Sequence, residues 1–549
     1  MLFEDKIKTI SRIFVSILSF LFVILILYLN VLHTTFTFAD DYPLIAQNPI
    51  ISSLIKAMLG VFIIAMISFI GKYSHNKVLF SLIVIVNLVS LGLKIYIVYS
   101  FKNYPTIDPY QIYNGAMILH YTQDLKPLFI SNYFAMFPQQ LGLVTILTPF
   151  IAWFGESINN YYVTQAILSQ LTLILFTLSS YKLKGMKSAF STTLLLALFI
   201  PNLFISFLIY GDGYALFFIA LFMTLFVYFG HLKSRAQYSL YGVLYGLLSL
   251  AYLARLSSNV IIIAFAGTLF ILSQWNLKLI IKMGLLLSIL VVPMYLNLKL
   301  YDHPEVELGK YAHPTNTWIR IGLGYGGGNG LYPGVNNNDT NDDFMVLGYD
   351  PQKMSALNTT IIHHELTVLS ENYVWFDFFK QKLSIMWTDP DFELMTLILP
   401  SHVGKIKAPW KLLQTGNYGF GAFNLVTTNA FGDWLQKNYF KIRSVEKVVY
   451  FGFLVATLLL FLKRNSKEWP LWFLRLSLIG FVLLHGLIEV KSRYVFGFVN
   501  ILIFVVSLYN IEIMDDVVIR VQNYGKFIKG KLHDYKSSRS SIFPTPTRL

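Results

Sequence analysis

Apolar runs of about 20 residues, each long enough to cross a bilayer as a helix, recur along the chain with short polar breaks between them. The first three cover roughly 13–32, 51–70 and 78–99, and a run at 161–178 follows. Basic loops mark the cytoplasmic side of a membrane protein. Lys6, Lys8 and Arg12 therefore place the N-terminus inside, and Lys72 and Lys77 flank the first inner loop. Reading backward, the tail holds Arg520, Lys526, Lys529, Lys531, Lys536, Arg539 and Arg548, so it too is expected inside. The span at 495–511 then delivers Glu489 and Arg493 to the outer face. The two directions disagree between Asp108 and Lys182, where the runs 140–154 and 161–178 break parity. The first is short and interrupted by Pro138 and Pro149. It reads as a re-entrant or surface-lying outer element, full crossing being the alternative. The pattern predicts an all-α polytopic membrane protein with about 12 transmembrane helices, outer juxtamembrane helices and one large extracytoplasmic loop or domain.

Composition agrees. Of 549 residues, 55% are hydrophobic and 13% charged, against roughly 25% charged in soluble domains; mean hydropathy is +0.57. The formal charge of +14 sits in short loops and the tail, the pattern of topology signals and anionic-lipid contact rather than nucleic-acid binding. Absence of cysteine excludes disulfides, thiolate metal sites and cysteine nucleophiles. A large outer loop without disulfides fits a bacterial plasma membrane.

The expected divisions are an N-terminal helix pair at 1–77 and a core membrane module with the first outer loop at 78–298. An extracytoplasmic loop or domain at 299–445, C-terminal membrane helices at 446–511 and a basic cytoplasmic tail at 512–549 complete the chain.

Three polar signatures stand at the ends of apolar runs and are expected on one side. They are Thr106-Ile107-Asp108-Pro109-Tyr110, Tyr210-Gly211-Asp212-Gly213 and Glu489-Val490-Lys491-Ser492-Arg493-Tyr494. Ionisable groups at membrane depth are costly and usually mark a working site. A carboxylate such as Asp108 can take a proton from a hydroxyl or hold a metal that grips phosphate. Asp212 lies between glycines that permit a tight turn. Arg493 and Lys491 suit a phosphate, with Glu489 as partner, and Arg255 is a further phosphate candidate. Trp318, in the long loop before the glycine run 322–330, offers a face for stacking on a sugar ring. The 375–387 segment is amphipathic and is expected to dock on the outer membrane surface. His363-His364-Glu365 is a poor metal cluster, because adjacent side chains on one element diverge.

The run Asp108-Pro109-Tyr110, Ala116, Tyr133-Phe134 and Pro138-Gln139 resembles the first outer loop of the GT-C glycosyltransferases, multi-span enzymes that use polyprenyl-phosphate sugars. That resemblance implies a GT-C-like fold with Asp108 as the catalytic aspartate and Asp212 as a second acidic residue. It also implies that Glu489, Arg493 and Tyr494 form the late acidic and Arg-Tyr site, with the arginine meeting the lipid phosphate. The added N-terminal helix pair leaves Asp40 and Asp41 as secondary candidates for the first acidic position. The implied activity is transfer of a sugar from a polyprenyl-phosphate donor to a surface glycan such as a cell-wall polysaccharide or teichoic acid. A divalent cation, Mg or Mn, is a possible helper. Competing readings are a transporter or flippase of lipid-linked sugars, or a surface-glycan polymerase or ligase.

Overall fold

A computed structural model of the chain describes residues 2–38, 42–105, 107–122, 128, 133–230, 235–302, 308, 310–326, 332–336, 339–398, 424–427, 430–462 and 468–540. The chain is an all-α multi-pass membrane protein. Among the described residues, nine helices are long and apolar enough to cross a bilayer: Glu4–Leu32, Ile50–Tyr73, Asn76–Ser100, Ile158–Lys184, Asp212–Phe229, Leu277–Leu300, Ala430–Phe461, Trp469–Leu487 and Ser492–Arg520. Met186–Leu198 and Pro201–Phe207 make a tenth if counted as one span. They are bent by 68° at Phe199, whose ψ of 88° leaves helical geometry, just before Pro201, which has no N–H to continue the helical ladder. Two further expected crossings are the short apolar helices Ser239–Ala254 and Ser258–Leu272. At 15 residues the latter reaches only about 22 Å, short of a roughly 30 Å hydrocarbon core.

Burial sorts the helices into layers. The Ser492–Arg520 helix is the axis, with 83% of its apolar window buried, whereas Leu277–Leu300 buries 17% and turns most of its surface outward. The N-terminal helices pack on the C-terminal ones. A Cβ on Gly60 would lie 2.2 Å from the Val448 carbonyl oxygen, so the 50–73 and 430–461 helices meet backbone to backbone. Leu141–Phe154 buries Leu141, Leu143, Val144, Ile146, Leu147 and Ile151 in the protein and leaves Trp153 and Phe154 exposed at its end. It packs on the helices Ile107–Thr122 and Arg235–Ala254.

The 299–445 segment forms the helices Asn316–Leu323, Asp339–Val346, Pro351–Glu371 and Trp375–Trp387. Its expected end at 445 falls inside the continuous helix Ala430–Phe461, and the tail boundary at 512 falls inside Phe496–Ser540. The Trp375–Trp387 helix differs from expectation. Its last turns are buried, Trp387 completely, against the first helix, the hairpin His33–Phe38/Tyr42–Gln47 and the turn at Ser492–Val495. Its Lys382 amine donates to the Gly486 carbonyl at 2.9 Å and to that of Gly322. An amphipathic helix needs an apolar partner; here the partner is the protein.

Candidate functional site

Four chain breaks meet at one end of the bundle. The first follows the strand Lys102–Pro105, which pairs antiparallel with Asn424–Thr427. Asp108 then occupies the first turn of Ile107–Thr122, where the helix dipole favours an acid and proline is tolerated. The second break is Tyr210-Gly211. Gly211 has φ +85°, and a Cβ there would lie 1.9 Å from the Ala254 carbonyl oxygen. A glycine therefore lets the Asp212 helix start directly against the third break, Ala254-Arg255. The fourth is the extended stretch after Leu487 that leads into Ser492–Val495.

Tyr210 joins these breaks. Its hydroxyl donates to Asp108 Oδ2 at 2.8 Å. Its ring lies 4.8 Å from the Arg255 guanidinium and 5.3 Å from that of Arg493. Both arginines also lie over Tyr494, at 5.0 and 5.7 Å. Such cation–π contacts fix the planes of two guanidiniums that would otherwise swing on long stems. Burial, helped by the Asp108 charge, raises the Tyr210 hydroxyl well above its usual range, so it stays a neutral donor to Asp108.

The remaining charges are interlocked. Arg255 Nε lies 3.2 Å from Asp212 Oδ1. Tyr494 donates to Glu489 Oε2 at 2.8 Å, and Lys491 Nζ lies 3.5 Å from Glu489 Oε1. Asp212, Glu489, Lys491 and Arg493 are all buried. The structure thus brings together Asp108, Asp212, Arg255, Glu489, Lys491, Arg493 and Tyr494, which come from widely separated parts of the sequence. Trp318 is at the margin. Its ring is 6.3 Å from Phe137, which lies 5.4 Å from Tyr133, whose hydroxyl in turn neighbours Tyr210 and Asp108. Asp40 and Asp41 lie outside the described residues.

A second layer was not anticipated from the sequence. Arg493 Nη1 lies 3.5 Å from Glu393 Oε2. Glu393 is the last acid of the buried stretch Asp389-Pro390-Asp391-Phe392-Glu393, and Arg443 pairs with Asp389 at 2.7 Å and Asp391 at 3.4 Å. Burial pushes the Asp391 carboxyl up to about 7, against the lowering effect of Arg443. The available signal was three acids within five residues after an amphipathic segment.

Among the described residues no three His, Asp or Glu side chains are grouped to hold a metal. Asp108 accepts from Tyr210 and Asp212 pairs with Arg255, and the cationic side chains gathered beside them are Arg255, Lys491 and Arg493. His363 and His364 are exposed on the Pro351–Glu371 helix. No protein-family model matches the chain, and neither the curated proteins nor the solved structures contain a significant match.

Proposed function

We propose that this protein is a membrane glycosyltransferase of the GT-C kind. It moves a sugar from a polyprenyl-phosphate donor to an envelope glycan, a cell-wall polysaccharide or teichoic acid, on the extracytoplasmic face of a bacterial plasma membrane. In this reading the chain crosses about 12 times, with the two short apolar helices and the bent pair included and both termini in the cytoplasm. One observation carries the proposal: a carboxylate and two guanidiniums from distant breaks converge on the Tyr210 side chain.

Asp108 takes the proton of an acceptor hydroxyl as that oxygen attacks the anomeric carbon. The bond from that carbon to the phosphate oxygen breaks, and the phosphate leaves with the electron pair, inverting the anomeric centre. Charge grows on the departing phosphate, and fixed cations aimed at it lower the barrier. Arg493 and Lys491 supply that charge, and Arg255 adds to it while Asp212 holds its orientation. Trp318 borders the acceptor side.

The test incubates purified protein with a polyprenyl-phosphate sugar and a cell-wall glycan, and measures polyprenyl phosphate released. Release that depends on the acceptor supports the proposal. Movement of labelled lipid across liposomes with no bond broken would replace it with a flippase.

A further inference from the structure

We infer that Glu393 is a positioning residue for Arg493, fixing the Ser492–Val495 turn so that the guanidinium meets the phosphate of a lipid-linked ligand. The inference rests on the reading of Arg493 as the phosphate-binding group. It begins from backbone strain. Phe392 and Glu393 have φ values of 54° and 64°, two consecutive residues in the left-handed region that side chains with a Cβ avoid. Such conformations persist where the surroundings over-determine them, and they cluster at working sites.

The surroundings here do so. Asp391 is fully buried and both its carboxylate oxygens accept from the Met395 N–H at 3.0 Å. The Asp391 N–H donates to Asp389 Oδ1 at 3.1 Å. The Phe392 ring is buried against Phe199 and Tyr450, with centroids 5.7 and 5.5 Å away. Arg443 anchors the run from the Ala430–Phe461 helix.

The strained geometry delivers one carboxylate to one turn. Glu393 Oε1 accepts from the Ser492 N–H at 3.0 Å and lies 3.0 Å from its hydroxyl. Asp389 Oδ2 lies 2.9 Å from the same hydroxyl, whose single proton is shared between the two acids. The other Glu393 oxygen faces Arg493. Ser492 is thereby pinned from two sides, and Arg493 follows it in the chain. Fixing the backbone before the arginine sets where its planar fork points, and bidentate phosphate binding depends on that direction.

Reach and charge separate in the test. Glutamine keeps the length and an amide oxygen that accepts from the Ser492 N–H but loses the charge. Aspartate keeps the charge but is one methylene short. Full-length protein in nanodiscs is titrated with polyprenyl phosphate, and the unphosphorylated polyprenol is the control. Glu393→Ala and Glu393→Asp are each expected to weaken polyprenyl phosphate binding about tenfold, the equivalent of one buried hydrogen bond. Glu393→Gln is expected to recover affinity to within about threefold, and Arg493→Ala to lose phosphate selectivity. If Arg493→Ala binds like the parent, the phosphate reading itself falls. If Arg493→Ala loses binding while Glu393→Asp binds as tightly as Glu393→Gln, the positioning role falls alone. Should Glu393→Ala not fold, the Asp and Gln arms still decide.

Discussion

Tyr210 shows how one side chain can couple a carboxylate to two cations. Its hydroxyl holds Asp108, and its ring carries Arg255 and Arg493. Asp108→Asn is expected to lower transfer by about 10²–10⁴-fold, the usual weight of a general base, while donor binding persists. Release of polyprenyl phosphate and a donor titration check both halves. Tyr210→Phe keeps the ring but loses the hydrogen bond, and about a tenfold fall in turnover is expected in the same assay. Asp108, Asp212, Arg255 and the 489–494 residues were legible because polar groups at the ends of apolar runs stand out. Tyr210 was not. It is one of 34 tyrosines, and its partner lies 102 residues away, a separation that no local pattern encodes.

Elements explain the rest of the site. Nine membrane helices among the described residues were readable from length and hydropathy. The Trp375–Trp387 helix was misplaced because an amphipathic pattern looks the same whether lipid or protein covers its apolar side. Arg443 and Glu446 were equally hidden, since charges near the start of a span read as its solvated entrance; both are buried. Two predictions belong to this scale. Gly211→Ala puts a Cβ 1.9 Å from a backbone oxygen at a left-handed position. It should cost at least about 2 kcal/mol, read as a lower melting temperature together with lost transfer. Asp391 has its pKa raised to about 7 by burial. The folded protein therefore holds that proton more tightly than the unfolded chain does. This contribution to stability is complete below about pH 4 and is lost as pH rises through about 7. Melting temperature followed from pH 5 to 8 should fall less steeply in Asp391→Asn than in the parent.

For the molecule as a whole, the proposal depends on sidedness. A chain without cysteine can be probed one introduced thiol at a time. Tyr373 is 90% exposed in the turn that leads into Trp375–Trp387, the helix packed on the Ser492–Val495 turn. His75 is exposed in the turn between Ile50–Tyr73 and Asn76–Ser100, at the opposite end of the bundle. An impermeant maleimide should label Tyr373→Cys in intact cells and His75→Cys only after permeabilisation. Labelling of both from one side would overturn the topology. The end bearing His75 is tied by Lys72 to Asp515 and by Lys184 to Glu468 and Glu512.

The pairing of Lys102–Pro105 with Asn424–Thr427 bears on how the molecule is born. The strand that leads into Asp108 acquires its neighbour only after more than three hundred further residues have left the ribosome, and the turn bearing Arg493 emerges later still. A nascent or C-terminally truncated chain therefore lacks a complete site while its first helices are already in the bilayer. In the proposed reading, transfer waits until synthesis is nearly finished, and the membrane's lipid carriers meet no half-built catalyst.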